Sequence, residues 1–79
     1  MDKREILNQV QEIFRDQLDD ESIVLNFETT AMDVEDWDSL THLMMVVGIE
    51  KHFRFKFTSK EIISLKNIGE MVNCIHEKI

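Results

Sequence analysis

Ile6, Val10, Ile13 and Phe14, with Leu18 beyond them, recur at i, i+4, i+7, i+8 and i+12. That spacing is the single apolar stripe of an amphipathic helix. Asp2 followed by Glu5 reads as a capping box, so the helix is predicted over about residues 3–18. Near the other end, Ile68, Met71, Val72, Ile75 and Ile79 form a second stripe, opened by Asn67 and Glu70 as cap and N3 residue. Thr58 with Glu61 is a further capping box before a short apolar run, which predicts a brief helix over 61–65. Between Phe53 and Thr58, Phe55 and Phe57 alternate around Lys56, as in a short extended connector with two apolar anchors.

Residues 39–53 behave differently. At 100° per residue, His42, Met45, Val46, Ile49 and Phe53 share one side. Leu40, Leu43, Met44 and Val47 share the opposite side. A helix is predicted here, with Asp38 as its N-cap, but it has two apolar faces. Three explanations stand open: a central helix buried all round, a homodimer seam, or an exposed docking face for partners.

Residues 19–38 carry no helical period. Isolated apolar residues (Ile23, Leu25, Phe27, Met32 and Val34) are spaced among acids, including Glu28, Asp33, Glu35, Asp36 and Asp38. A loop of about twenty residues is usually functional or disordered. The spaced apolar residues predict that this one is pinned to the core. The expected architecture is all-α: a four-helix bundle with a long first loop and a short third helix. Its expected core is Ile6, Val10, Ile13, Phe14, Met45, Val46, Ile49, Phe53, Ile68, Val72 and Ile75.

Composition agrees with this and narrows the function. The 79 residues suit one domain, spanning 1–79. With no Pro and two Gly, the turn chemistry of an all-β fold is missing. Net charge is −7, and it is uneven: residues 1–38 carry −9 and residues 39–79 carry +2. An acidic chain without a Lys/Arg cluster is a poor ligand for nucleic acid or an anionic membrane. It favours partners with basic patches. Cys74 is the only cysteine, so no internal disulfide forms, and a reducing cytoplasm fits. No apolar run approaches the roughly 18 residues of a membrane span. The N-terminal residues MDKREILNQ lack the apolar core of a signal peptide.

Candidate chemistry is sparse. No His, Cys and carboxylate cluster has metal-site spacing. No Ser–His–acid arrangement is visible, and no base is identifiable for Ser39. His42 lies on the core side of its helix and reads as a structural histidine. His52 and His76 stand alone. Trp37 reads as a core or loop anchor, and Cys74 as packing at the edge of the last stripe.

Asp38-Ser39-Leu40 resembles the Asp-Ser-Leu signature of acyl carrier proteins. The resemblance extends over the whole chain: an acidic loop before the motif, a helix of about fifteen residues ending at Phe53, then a short third helix and a fourth. The Trp37-Asp38-Ser39-Leu40 form with His42 following looks like the free-standing carriers of specialised biosynthetic pathways. The resemblance implies that Ser39 is the attachment point of 4′-phosphopantetheine, through a phosphodiester on its hydroxyl. It implies that Asp38 assists a phosphopantetheinyl transferase and its Mg²⁺, and that Leu40 touches partner enzymes. The chain would then be a substrate-holding protein and not an enzyme. It would be a monomer that holds acyl intermediates as thioesters and meets acyl-loading and acyl-processing enzymes of fatty acid or polyketide biosynthesis.

Physical reasoning adds that the first turn of a helix, with free N–H groups and the dipole, favours a phosphodiester anion by roughly 0.3–1 kcal/mol. It also assigns docking to Leu40, Leu43, Met44 and Val47, with Glu35 and Asp36 steering partners. One departure is plain. The second helix of the family is commonly studded with acids; here it offers only Glu50, and apolar Met44 stands where an acid is common. Two other readings remain. An aminoacyl carrier is one, although Val34-Glu35-Asp36-Trp37 replaces the Gly-Gly that peptidyl carriers of assembly lines place before the serine. A cofactor-free helical adaptor or dimerisation module is the other.

Overall fold

A computed structural model describes all 79 residues. Four helices are present: α1 (Lys3–Gln17), α2 (Ser39–Phe53), α3 (Ser59–Ser64) and α4 (Ile68–Lys78). Each starts on a residue whose side chain accepts a backbone N–H of the first turn: Asp2, Asp38, Thr58 and Asn67. Such caps satisfy donors that have no partner inside the helix. The third helix begins two residues earlier than the sequence reading placed it. Thr58 caps at Ser59, and Glu61 occupies N3, where its carboxylate accepts the Thr58 N–H.

α1 packs against both α2 and α4, and α2 runs antiparallel to α1. Gly48 of α2 lies over Ile13 and Gln17 of α1, and one turn further His52 hydrogen-bonds Gln9 at 2.6 Å. The shared interior holds Ile6, Val10, Phe14, Met45, Val46, Ile49, Ile68, Val72 and Ile75, as expected, and adds Leu7 and Met71. Ile13 and Phe53, also assigned to the core, are only half-buried and lie against its edge. Phe53 sits in the last turn of α2, where Phe55 shares its cover at a centroid distance of 6.4 Å.

The long loop is tied down, as its spaced apolar residues suggested, but not by all of them. Ile23, Leu25 and Val34 are buried, whereas Phe27 is 38% and Met32 96% exposed. Polar bonds complete the tether. Arg15 Nε donates to the Ile23 carbonyl at 2.7 Å, and Gln11 Oε1 accepts the Leu25 N–H at 2.9 Å. Thr29 pairs with the start of α4: its carbonyl accepts the Ile68 N–H at 2.9 Å, and the Phe27 carbonyl accepts the Gly69 N–H at 2.7 Å. The loop thus satisfies first-turn donors of α4. Gly69 is required for that approach, since a Cβ there would lie 2.7 Å from the Phe27 oxygen.

The candidate prosthetic-group site at the start of helix α2

Ser39 is the first residue of α2, and it is exposed. The backbone on either side is held by a reciprocal cap. Asp38 Oδ1 accepts the N–H groups of Leu40 and Thr41, both at 2.9 Å. Thr41 Oγ1 accepts the Asp38 N–H at 2.8 Å and donates to the Asp36 carbonyl at 2.7 Å. These bonds, that from the Thr41 backbone first, hold the Asp38 carboxyl below the usual carboxylate value.

The cap alters one expectation. Two of the first-turn N–H groups that were to favour a phosphodiester are consumed by the Asp38 carboxylate. An anion on Ser39 would sit beside that negative charge. The helix start therefore offers an exposed, rigidly placed hydroxyl, and little specific anion recognition.

Trp37 secures the preceding turn. It is buried, with its ring edge-on to Phe14 of α1 at 5.1 Å. Its indole N–H donates to His42 Nδ1 at 3.1 Å, and the two rings stack at 6.0 Å and 16°. Nδ1 is thus the acceptor nitrogen. Nε2 carries the hydrogen and faces the Ile62 carbonyl at 3.2 Å. His42 joins the loop, α2 and α3 through one ring. Sequence reasoning placed it on the core side but gave no hint of its partners, because Ile62 is twenty residues away.

An open groove of about 670 Å³ separates α2 from α3 beside Ser39. Trp37, His42, Leu43, Ile62, Ile63 and Leu65 form much of its wall, with Ser39 on the rim. α3 contributes no buried residue, and Ile63 is 82% exposed.

Leu40, Leu43, Met44 and Val47 form an exposed strip along α2, from 41% to 70% exposed. Within the single chain, a helix buried all round is therefore ruled out. Glu35 and Asp36 are exposed before the helix. Glu50 is not part of an acidic face: it is half-buried, and its carboxylate accepts the Phe57 N–H at 2.8 Å, closing the turn after α2. Cys74 is half-buried, and burial together with neighbouring Glu61 pushes its thiol up to about 11. It is therefore a poor nucleophile at neutral pH. No helix is long and apolar enough to cross a membrane.

Protein-family models and curated protein sequences give no match to the chain. Among solved structures, it is similar to the holo acyl carrier protein of Geobacter metallireducens, whose solution NMR structure superposes with a TM-score of 0.85. Identity is 42%, over 91% of this chain and 83% of that one. With this likeness in sequence as well as fold, the chain belongs to the acyl carrier protein family and is a carrier protein, not an enzyme.

Proposed function

We propose that Ser39 carries a 4′-phosphopantetheine arm, through which the chain holds acyl intermediates as thioesters and presents them to biosynthetic enzymes. The observation that carries this reading is the exposed serine opening α2, within Asp38-Ser39-Leu40, in a chain 42% identical to a holo acyl carrier protein. The residues present suit the group. An exposed hydroxyl on a capped helix gives a transferase access, and hydrogen bonds of Trp37 and Thr41 tether the surrounding turn. When bound, the arm supplies a thiol for acyl transfer. The protein contributes the mount and the surfaces around it.

Asp38 has two tasks in this reading: it caps α2, and its carboxylate assists the transferase and its Mg²⁺. Leu40, Leu43, Met44 and Val47 give affinity for acyl-loading and acyl-processing enzymes, and Glu35 and Asp36 steer them. The absence of an acidic α2 face favours a specialised pathway over the ordinary fatty-acid enzymes. A reducing cytoplasm suits a lone, unpaired Cys74 and a carried thiol.

The test is intact mass after incubation with a phosphopantetheinyl transferase and coenzyme A. The wild type should gain one arm, and Ser39→Ala should gain none while keeping its helical spectrum. Uptake by the Ser39→Ala protein would overturn the assignment. Mass analysis of the protein from its native host would then report the cargo, acyl or aminoacyl.

A further inference from the structure

We propose that the far end of α2 is a second anchor for the enzyme that charges the arm, and that it receives a carboxylate-bearing patch on that enzyme. The proposal rests on the carrier reading. The acidic family face would have no use for such a patch, so the inference is particular to this chain.

Charge is segregated along α2. The five acids at positions 28, 33, 35, 36 and 38 precede it with no base among them. Lys51, Arg54 and Lys56 line one hollow at its other end, three of the nine cations in a chain of net charge −7. Fifteen residues of helix separate the two ends by about 22 Å. Between them runs the exposed apolar strip. The strip continues into the basic end: a shallow hollow of about 400 Å³ along Leu43, Met44 and Val47 shares Val47 and Lys51 with a second of about 410 Å³. That second hollow is bounded by Arg54, Phe55 and Lys56, with Glu50 at its floor.

Two of these cations are free for a partner. Lys56 is within 3.9 Å of Glu50, but Lys51 and Arg54 form no ion pair, and Glu50 is spent on the Phe57 N–H. Arg54 also stands where the backbone favours glycine. It is the C-cap of α2 in the left-handed region, with φ 62° and ψ 52°. Its side chain is exposed and forms no ion pair within the chain, so it is open to a partner.

The surface is therefore acidic beside Ser39, apolar in the middle and basic at the distal end. The complementary enzyme face is basic near its active-site mouth, apolar next, and acidic about 22 Å away. That two-signed pattern fixes the direction in which α2 lies on the enzyme, and so places Ser39 at the mouth. A second copy packed antiparallel would also match the signs, but it would cover Leu40 and Leu43 beside the serine.

The probe is the charging enzyme of the host, identified by transfer of a labelled cargo to the phosphopantetheinylated wild type. Binding of that enzyme is compared for wild type and the Lys51→Ala, Arg54→Gly double variant. The expected loss is about 10-fold at about 50 mM salt, shrinking towards none at about 0.5 M. Arg54→Gly alone should melt at or above the wild-type temperature, which separates lost contact from lost fold. Lys51→Glu with Arg54→Glu should bind more weakly still, and recover when carboxylates on the enzyme are exchanged for lysines. Binding within about 2-fold of wild type at low salt would overturn the proposal. So would a wild-type dimer, seen by light scattering, that the double variant dissociates, because the occupant would then be a second copy. A wild type that takes up no phosphopantetheine would refute the carrier reading, and this inference with it.

Discussion

Replacing His42 by Phe tests whether the turn before Ser39 is held by hydrogen bonds or by ring packing alone. The substitution keeps an aromatic ring against Trp37 but removes both polar contacts. Trp37 is 4% exposed, so its indole N–H would be left without an acceptor in a site that water reaches poorly. An unsatisfied buried donor costs about 1–3 kcal/mol. The Ile62 carbonyl, on the exposed α3, can turn to water, so its loss adds little. In a domain of this size each kcal/mol lowers the melting temperature by about 4–8 °C. The assay is thermal unfolding followed by circular dichroism and by tryptophan emission. The chain has one Trp and no Tyr, so emission reports on Trp37 alone. The expected result is a lower melting temperature together with emission shifted to longer wavelength. Trp37→Phe and the double variant complete a cycle, and the two positions should couple. A His42→Phe protein that melts within about 1 °C of wild type would refute the reasoning, because the indole would then have no dependence on its acceptor.

Four further outcomes follow from local geometry. Phe14→Ala, at a fully buried position, should cost about 3–5 kcal/mol and bring a domain this small near unfolding, whereas Phe53→Ala at the half-buried edge should cost less; denaturant titration ranks them. Gly69→Ala should destabilise by about 1–3 kcal/mol, since the new methyl meets the Phe27 oxygen at 2.7 Å. Gly48→Ala gains up to about 1 kcal/mol of helix propensity, but its methyl meets both Gln17 Nε2 and the stiffer Ile13 Cγ2 at 3.2 Å, so the net change should stay within about 1 kcal/mol of zero. Glu61 accepts the Thr58 N–H and pairs with Lys78, which lowers its carboxyl from 4.5 to about 2. A lowered carboxyl stabilises the fold at pH above the unfolded value, and that contribution is lost as pH falls from 4.5 through about 2. Melting curves of wild type and Glu61→Gln should therefore differ at neutral pH and converge near the acid end of that window; a constant gap would contradict the linkage.

Much of this site was legible in the sequence because cap chemistry is local. Asp38, Thr58 and Asn67 each announce a helix start within four residues, so Ser39 could be placed at the opening of α2 without knowing what α2 packs on. The two apolar faces of α2 were also legible, since helical phase depends only on spacing. What covers each face was not, and Leu40, Leu43, Met44 and Val47 needed the fold to show that the chain leaves them exposed. The contacts that hold the site were the least visible. Gln11 with Leu25, Thr29 with Ile68 and His42 with Ile62 join residues 14 to 39 positions apart, and no local pattern encodes them. Phe53 was assigned the right side of the helix but too much burial, because phase says which way a side chain points and not where the core ends. Glu50 was counted as the one acid of the second helix; its bond to the Phe57 N–H spans seven positions across the turn that follows the left-handed Arg54.

The charge before Ser39 is only partly free to act on partners. The loop is strongly acidic, yet part of its charge is committed to structure. Asp33 accepts the Thr30 N–H and hydroxyl, Asp20 accepts both the N–H and the hydroxyl of Ser22, and Asp38 caps α2. Glu35 and Asp36 are exposed, and their carboxylates make no hydrogen bond or ion pair within the chain. Their field is available to an approaching enzyme, and in water it is screened over about 8–10 Å at physiological salt. They can raise the encounter rate but hold little once the complex forms. The apolar strip has the opposite character: it exerts no field at a distance and excludes water on contact. In the docking proposed above, association and dissociation depend on different residues. Neutralising Glu35 and Asp36 to the amides should slow association from the cognate loading enzyme and flatten its salt dependence, with dissociation nearly unchanged. Met44→Glu should speed dissociation by placing an unpaired charge in an apolar seam. Stopped-flow or surface binding kinetics at low and high salt separate the two rates. If Met44→Glu binds that enzyme as well as wild type or better, the enzyme is meeting an ordinary acidic helix face, and the division of labour proposed for α2 is wrong.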